Sequence, residues 1–246
     1  MTPAELILVA ACLAAGGILK GATGAGAPVL AIPAMAAIFD VKFAVVVMVV
    51  PNLLTNLFQA WRFRRERPPG AFVWLFAVAG AIGAALGTWI LAVLDPETLS
   101  LIVAVSVLGY VGFRLARPDW RIPLGLGKKL GVPAGIAAGM LQGASGISAP
   151  ISISYLNALG LERRTFIATI SIFFTVMSAG QIPALSSLGI VTGHSLLLSL
   201  AALVPVLAFM PIGSKIAERL SPKVFDRVIL VLLAGLAAKL LADALL

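Results

Sequence analysis

Residues 21–28 read GATGAGAP, and a close copy, GASGISAP, follows 122 positions later at residues 143–150. Both copies interrupt apolar sequence with glycine, small hydroxyl side chains and a proline. Such an interruption is tolerated at membrane depth only where the backbone is buried in protein or lines a cavity. The duplicated stretch therefore predicts two related halves, each with a candidate binding element.

The composition of the chain indicates a polytopic membrane protein. Its 246 residues are 61% hydrophobic and only 11% charged, and the mean hydropathy is +1.08. A chain of this kind has too little polar surface to cover a soluble globule of its size. The net charge of +8 comes from basic residues in short loops between apolar runs, so it is a topology signal and does not predict nucleic-acid binding.

The residues that the sequence lacks also narrow the function. No Asp or Glu falls in the middle of an apolar segment, which argues against a carboxylate-relay proton pump, a cation transporter and a membrane hydrolase. Cys12 and His194 are the only cysteine and histidine, so we expect no metal site and no cofactor. The protein is not expected to be an enzyme.

Ten apolar segments predict the fold, since a spanning helix needs about 20 residues. They cover residues 4–19, 28–39, 43–60, 71–94, 98–113, 130–142, 150–161, 166–182, 195–216 and 224–246. We expect an all-α polytopic membrane protein with about eight to ten transmembrane helices. Residues 1–116 and 130–246 are predicted to form two transmembrane repeats of about five segments each, joined by a cytoplasmic linker at 117–129.

Loop charges predict that the two repeats are inverted. The loops at 62–67, 114–129, 163–164 and 215–227 hold 15 of the 18 Lys and Arg residues, which places them in the cytoplasm. The acidic loop at 95–97 should face outward, yet its counterpart at 221–223 lies in a basic loop. Inverted repeats are typical of secondary transporters, and this arrangement predicts both termini outside.

The segments that follow the two motifs are short. Residues 28–39 and 150–161 would each form a helix of roughly 18 Å, against a hydrocarbon core of about 30 Å. The motifs are therefore predicted to lie within the membrane, as interrupted helices or re-entrant hairpins. Pro28 and Pro150 fall in the first helical turn, so that two positive helix ends could face an anion.

The candidate substrate-binding residues come from the motifs and from segments three and eight. Lys20 precedes the first motif and can balance the charge of an anionic substrate, or can extend to the membrane surface from a helix end. The small residues of the motifs can present amides and hydroxyls to an oxyanion, or can allow close helix packing. The full set is Lys20, Thr23, Gly24, Gly26, Asn52, Asn56, Gln59, Gln142, Ser145, Gly146, Ser148, Ser178 and Gln181.

A polar stripe runs along segment three. Asn52, Asn56 and Gln59 recur at steps of four and three residues, and Ser178 and Gln181 lie on the corresponding face of segment eight. Stripes of this kind either line a cavity or form hydrogen bonds between helices. Gln59 and Gln181 correspond across the repeat, which favours a cavity at these two positions.

The whole chain resembles the TauE/SafE family of sulfite and sulfonate exporters. The resemblance lies in residues 17–33 (GILKGATGAGAPVLAIP), in residues 139–150 (GMLQGASGISAP) and in Ser221-Pro222 before the last segment. It implies a multi-pass exporter of sulfite, sulfoacetate or another organosulfonate in the bacterial cytoplasmic membrane. A permease or channel for sulfate, thiosulfate or a small organic acid is the alternative. Proton coupling, the direction of transport and a homo-oligomeric state stay open.

Overall fold

Ten helices make up the described part of the computed structural model, which covers residues 2–117, 120–219 and 222–245. At 217–219, 222–229 and 243–245 it describes the backbone alone. The helices are α1 (Pro3–Thr23), α2 (Ala27–Ala36), α3 (Val41–Arg62), α4 (Phe72–Val93), α5 (Pro96–Ala116), α6 (Leu124–Ser145), α7 (Ala149–Ala158), α8 (Arg163–Ser187), α9 (Gly193–Arg219) and α10 (Pro222–Leu245).

Side-chain caps fix the start of several helices. The Thr2 hydroxyl accepts a hydrogen bond from the Glu5 amide at 3.3 Å, and the Thr2 amide donates to the Glu5 carboxylate at 2.8 Å. Asp95 accepts hydrogen bonds from the amide and the hydroxyl of Thr98, each at 2.8 Å, at the start of α5. These bonds lower the pKa of the Asp95 carboxyl because they favour its ionised form. Such caps satisfy amide groups that a helix leaves without partners.

The prediction of an all-α polytopic membrane protein is confirmed. Six described helices, α1, α3, α4, α5, α8 and the Gly193–Ile216 part of α9, are long and apolar enough to cross a membrane. Each predicted segment coincides with one helix, although several bounds differ. Helices α2 and α7 end three residues earlier than predicted, α6 begins six residues earlier, and α1 and α8 end four and five residues later. Ser221, the linker residues 118–119 and Leu246 lie outside the described residues.

Large apolar side chains cover the outward faces of the long helices. Trp89 on α4 and Val204 on α9 are 60% and 69% exposed, as expected for helices that contact lipid. The two helices at the centre are different, because α3 and α8 have the largest buried shares of the spanning helices, 67% and 61% of their most apolar windows. They pack against each other, which places the polar stripe of α3 in the interior.

The motifs form the two breaks that the sequence predicts. Gly24 and Gly26 adopt positive φ angles of 79° and 95° between α1 and α2, and Gly146 adopts a φ of 74° between α6 and α7. Glycine adopts this conformation without the steric cost that other residues pay. Ser148 stands where the first copy has Gly26 and has a φ of −102°. The second break therefore contains one left-handed residue, and the first contains two.

The helices that follow the breaks are too short to span a membrane. Helices α2 and α7 contain 10 residues each, which corresponds to roughly 15 Å. Pro28 and Pro150 lie at their first turns, as predicted. Both helices thus cover about half of a hydrocarbon core of about 30 Å.

The packing of α1 on α9 and of α6 on α4 uses residues that correspond in the sequence repeat. Gly21 of α1 packs so closely on α9 that a Cβ atom there would overlap the Met210 carbonyl group, and Gly143 of α6 packs in the same way on the Ala84 carbonyl group of α4. The two glycines are 122 residues apart, as the two motifs are, and the two carbonyl groups are 126 residues apart, as the loops at 95–97 and 221–223 are. The first helix of each half therefore packs against the fourth helix of the other half. The boundaries of the repeats and their inverted orientation stay predictions.

Candidate functional site

A chain of hydrogen bonds links three helices at the centre of the molecule. The Lys20 ammonium group donates to Asn56 Oδ1 at 2.8 Å. The Asn56 amide donates in turn to the carbonyl oxygen and the Oδ1 atom of Asn52, at 2.7 and 2.9 Å. The Asn52 amide then donates to the Ser178 hydroxyl oxygen at 3.0 Å. Four candidate residues, chosen from α1, α3 and α8, thus form one network.

Lys20 is the most unusual member of this network. It is 1% exposed, and the buried polar and charged residues that the structure describes include no aspartate or glutamate. An ammonium group has three N–H donors, and the described part of the chain provides Lys20 with the single hydrogen bond to Asn56. A buried charge without a counterion is expensive, so this position favours a ligand that supplies the negative charge. Extension to the membrane surface is not observed.

In each motif, a hydroxyl side chain forms hydrogen bonds with the backbone at the helix break. The single O–H group of Thr23 lies within hydrogen-bond distance of two carbonyl oxygens, those of Leu19, at 2.8 Å, and of Ala25, and the hydroxyl oxygen accepts from the Ala25 amide at 3.2 Å. The Ser145 hydroxyl donates to the Leu141 carbonyl oxygen at 2.7 Å and accepts from the Ile147 amide at 3.4 Å. Both hydroxyls already have backbone partners, so they stabilise the backbone at the two helix breaks. Contact of either hydroxyl with a ligand stays a prediction.

Ser148 also makes its contacts locally. Its hydroxyl lies 3.2 Å from the Ser152 hydroxyl, and Ser152 donates to the Ser148 carbonyl oxygen at 3.0 Å. Both side chains are buried. The second motif therefore contributes a small cluster of hydroxyl groups at the start of α7.

A basic cavity lies against the first motif. Its volume is about 550 Å³, and its lining includes Gly21, Gly24 and Gln59 together with Arg62, Glu66, Arg163 and Arg164. The Arg164 and Glu66 side chains form an ion pair at 3.6 Å. The Arg163 guanidinium donates to the Ala22 carbonyl oxygen at 3.3 Å, which places a positive charge at the carboxyl end of α1, where helix dipoles favour it.

Two residues that line this basic cavity are close neighbours of Lys20 and Asn56 in the chain. Gly21 directly follows Lys20, and Gln59 lies about one helical turn beyond Asn56. Gln59 also accepts a hydrogen bond from the Ser171 hydroxyl at 3.4 Å. Two other residues of the motif, Thr23 and Gly26, line a second cavity of about 220 Å³. The first motif is therefore reached from two cavities.

Gln142 and Gln181 are buried in the second half. They are 4% and 1% exposed, and in the described part of the chain Gln142 Oε1 and Gln181 Nε2 have no hydrogen-bond partner. An unsatisfied acceptor and an unsatisfied donor are costly in the interior and mark positions for a ligand or a water molecule. No described hydrogen bond connects either side chain to the Lys20 network, and ligand contact by Gly146 or by these amides stays a prediction.

Besides Ser152, two serine residues near the polar stripe of α3 were not predicted. Ser171 precedes Ser178 by seven residues and lies on the same face of α8, so extension of the polar stripe toward the start of α8 would have found it. Ser199 of α9 donates to the Val47 carbonyl oxygen at 3.0 Å and accepts from the Val50 amide at 3.1 Å. Pro51 has no N–H group to donate to the Val47 carbonyl oxygen, as a residue four positions later in a helix normally does. The Ser199 hydroxyl donates to this oxygen instead, next to Asn52.

The fold and the buried site together define a multi-pass α-helical membrane protein with a buried lysine at its centre. The sequence model of the family described as "Sulfite exporter TauE/SafE" matches residues 8–240. The chain therefore belongs to the TauE/SafE family of sulfite exporters, as the motifs predict. No curated protein and no solved structure gave a significant match.

Proposed function

We propose that the protein is a secondary transporter that exports a small sulfur-containing anion, such as sulfite, sulfoacetate or another organosulfonate, across the bacterial cytoplasmic membrane. Membership of a transporter family supports this class. The observation that carries the proposal is the Lys20 ammonium group, buried and bonded to Asn56, without a carboxylate partner among the described residues. An anionic substrate would complete the missing charge pair.

The proposed path begins in the basic cavity next to Gly21 and Gln59. Arg62 and Arg163 give this cavity a positive field, which attracts anions and repels cations. The anion would then bind the remaining N–H donors of Lys20, while Asn56 keeps the ammonium group in position. The unpartnered amide of Gln181 is a second donor that the substrate could use deeper in the protein.

Burial of the central lysine supports a transporter over an open channel. The Lys20 side chain is 1% exposed, so an anion can reach it only after neighbouring helices move. Alternating access through such a movement is the usual mechanism of transporters with related halves. We include protons as the coupling ion and a homo-oligomer as further parts of the proposal that experiments should examine.

One alternative set of substrates fits the same residues. A lysine and several amide donors also suit sulfate, thiosulfate or a small organic acid, because all of these present oxygen acceptors and negative charge. The family favours sulfite and its relatives. A competition series distinguishes these anions directly.

Reconstituted protein tests both the class and the substrate. Proteoliposomes preloaded with unlabelled sulfite should accumulate external radiolabelled sulfite by counterflow, and the initial rate should saturate. Sulfoacetate and other sulfonates should compete more strongly than sulfate, thiosulfate or acetate. Flux that rises linearly with concentration and shows no counterflow would establish a channel, and counterflow supported only by carboxylates would reject the substrate.

A further inference from the structure

A second basic cavity lies at the linker between α5 and α6, and none of the four residues of the Lys20 network lines it. Its volume is about 310 Å³, and Arg114, Arg117 and Arg121 line it together with Ser154 and Asn157 of α7. Arg121 donates to the Asn157 carbonyl oxygen at 3.0 Å, which attaches the linker to α7. Residues 114–129 contain five basic side chains and one acidic side chain, Asp119, so the linker is strongly positive.

An apolar groove of about 400 Å³ adjoins this cavity. Leu130, Pro133 and Ala134 of α6 form one of its walls, and Ile151 and Tyr155 of α7 form the other. Leu130 is 39% exposed, so the groove is open at the surface of the helices. It can accept a hydrocarbon chain from the surrounding lipid.

Three side chains belong to both spaces. Phe113, Trp120 and Ser154 line the basic cavity and also the apolar groove. The rings of Phe113 and Trp120 meet edge to face, with centroids 5.3 Å apart and planes at 89°. Tryptophan commonly lies where lipid head groups meet acyl chains, which is the boundary that this aromatic pair marks.

Ser154 provides an independent sign of a ligand. Its side chain is 7% exposed, and its hydroxyl has no hydrogen-bond partner in the described part of the chain. Ser154 lies where the charged space ends and the apolar space begins. A bound molecule with an oxygen acceptor at this junction would satisfy the hydroxyl, which otherwise bears the cost of burial without a partner.

We propose that this composite site binds one anionic phospholipid. The phosphate lies among Arg117, Arg121 and Arg114, the ester oxygens of the glycerol region accept from the Ser154 hydroxyl, and one acyl chain follows the groove between α6 and α7. Arginine suits phosphate because its planar group donates two parallel hydrogen bonds. A small transported anion would fill the basic cavity alone and leave the adjoining groove empty, whereas a phospholipid matches both spaces and their order.

The test measures lipid affinity by native mass spectrometry of the purified full-length protein. Phosphatidylglycerol should bind more tightly than phosphatidylcholine. Replacing Arg117 and Arg121 by glutamine should weaken phosphatidylglycerol binding roughly thirtyfold, because each basic residue near a lipid surface contributes about a fivefold change in affinity. The matched control replaces Arg64 and Arg65 by glutamine, which removes the same charge from another basic loop and should leave this affinity unchanged. Equal affinity of the two double variants for phosphatidylglycerol would overturn the proposal.

A second variant examines the groove without a change in charge. Ala134→Phe fills the groove and should weaken phosphatidylglycerol binding by about tenfold, a change of the size expected for excluding part of one acyl chain. Unchanged binding by this variant would reject the acyl-chain site, even if the arginine variants failed to fold. Displacement of the lipid by millimolar inorganic phosphate would indicate a free-phosphate site and would also overturn the proposal. Sulfite transport is measured separately, so loss of the lipid site does not imply failure of the proposed transport function.

Discussion

Replacing Lys20 by glutamine removes the central positive charge and leaves a hydrogen-bond donor for Asn56. The wild-type ammonium group bonds Asn56 Oδ1 at 2.8 Å and is 1% exposed. At 4 Å and an effective dielectric constant of about 20, an anion gains about 4 kcal/mol from one positive charge. The substitution should therefore weaken anion binding by up to roughly a thousandfold.

The same change should leave the fold intact. An isolated buried charge costs several kcal/mol, so its removal should not lower the thermal unfolding temperature in detergent. Lys20→Met is a less suitable variant because it leaves Asn56 Oδ1 without its donor, which costs about 1–3 kcal/mol.

Sulfite counterflow in proteoliposomes and titration of purified protein by calorimetry provide the measurements. Lys42→Gln is the matched control, since Lys42 donates at 3.3 Å to the Ala92 carbonyl oxygen near the end of α4, away from Asn56. The control should keep wild-type affinity. A Lys20→Gln protein that binds and carries sulfite like the wild type would refute the reasoning.

Three further substitutions test the site and its framework. Asn56→Asp places a carboxylate beside Lys20, and this internal counterion should raise the KM for sulfite by about tenfold or more, measured by initial counterflow rates. Gly146→Ala forces alanine into a left-handed conformation that costs about 1–2 kcal/mol, so it should lower the unfolding temperature, whereas Gly109→Ala in a helix with open space should not. Ser199→Ala leaves a buried carbonyl without a partner and should cost about 1–3 kcal/mol in the same unfolding assay; an unchanged unfolding temperature would contradict this role.

Sequence patterns predicted the local features of the fold well. Apolar length identified the ten helices, and the glycine and proline pattern located both breaks, because Gly24 and Gly146 are needed where the backbone turns left-handed. The start of α6 was predicted less well, since Gly125, Gly127 and two lysines resemble a loop. In the structure Gly127 packs closely on Leu159, and its carbonyl oxygen accepts from the Tyr155 hydroxyl, so contacts with α7 override the weak local propensity.

The candidate site was predicted as separate residues and not as a network. Lys20 and Asn56 each stood out by position and spacing, but their hydrogen bond joins two residues 36 positions apart, on different helices. The role of Ser199 depends on the break that Pro51 makes in another helix. Contacts of this kind arise from tertiary packing, and no local pattern in a single sequence specifies them.

The glycine contacts between the halves also constrain how the chain is assembled during synthesis. Gly87 of α4 packs closely on the Met140 carbonyl group of α6, and Gly213 of α9 packs in the same way on the Ile18 carbonyl group of α1. When the first five helices have entered the membrane, α1 and α4 both lack these partners. The small-residue faces of α1 and α4 therefore acquire these partners only after α6 and α9 have been synthesised, so the close helix packing between the halves is a late step of assembly.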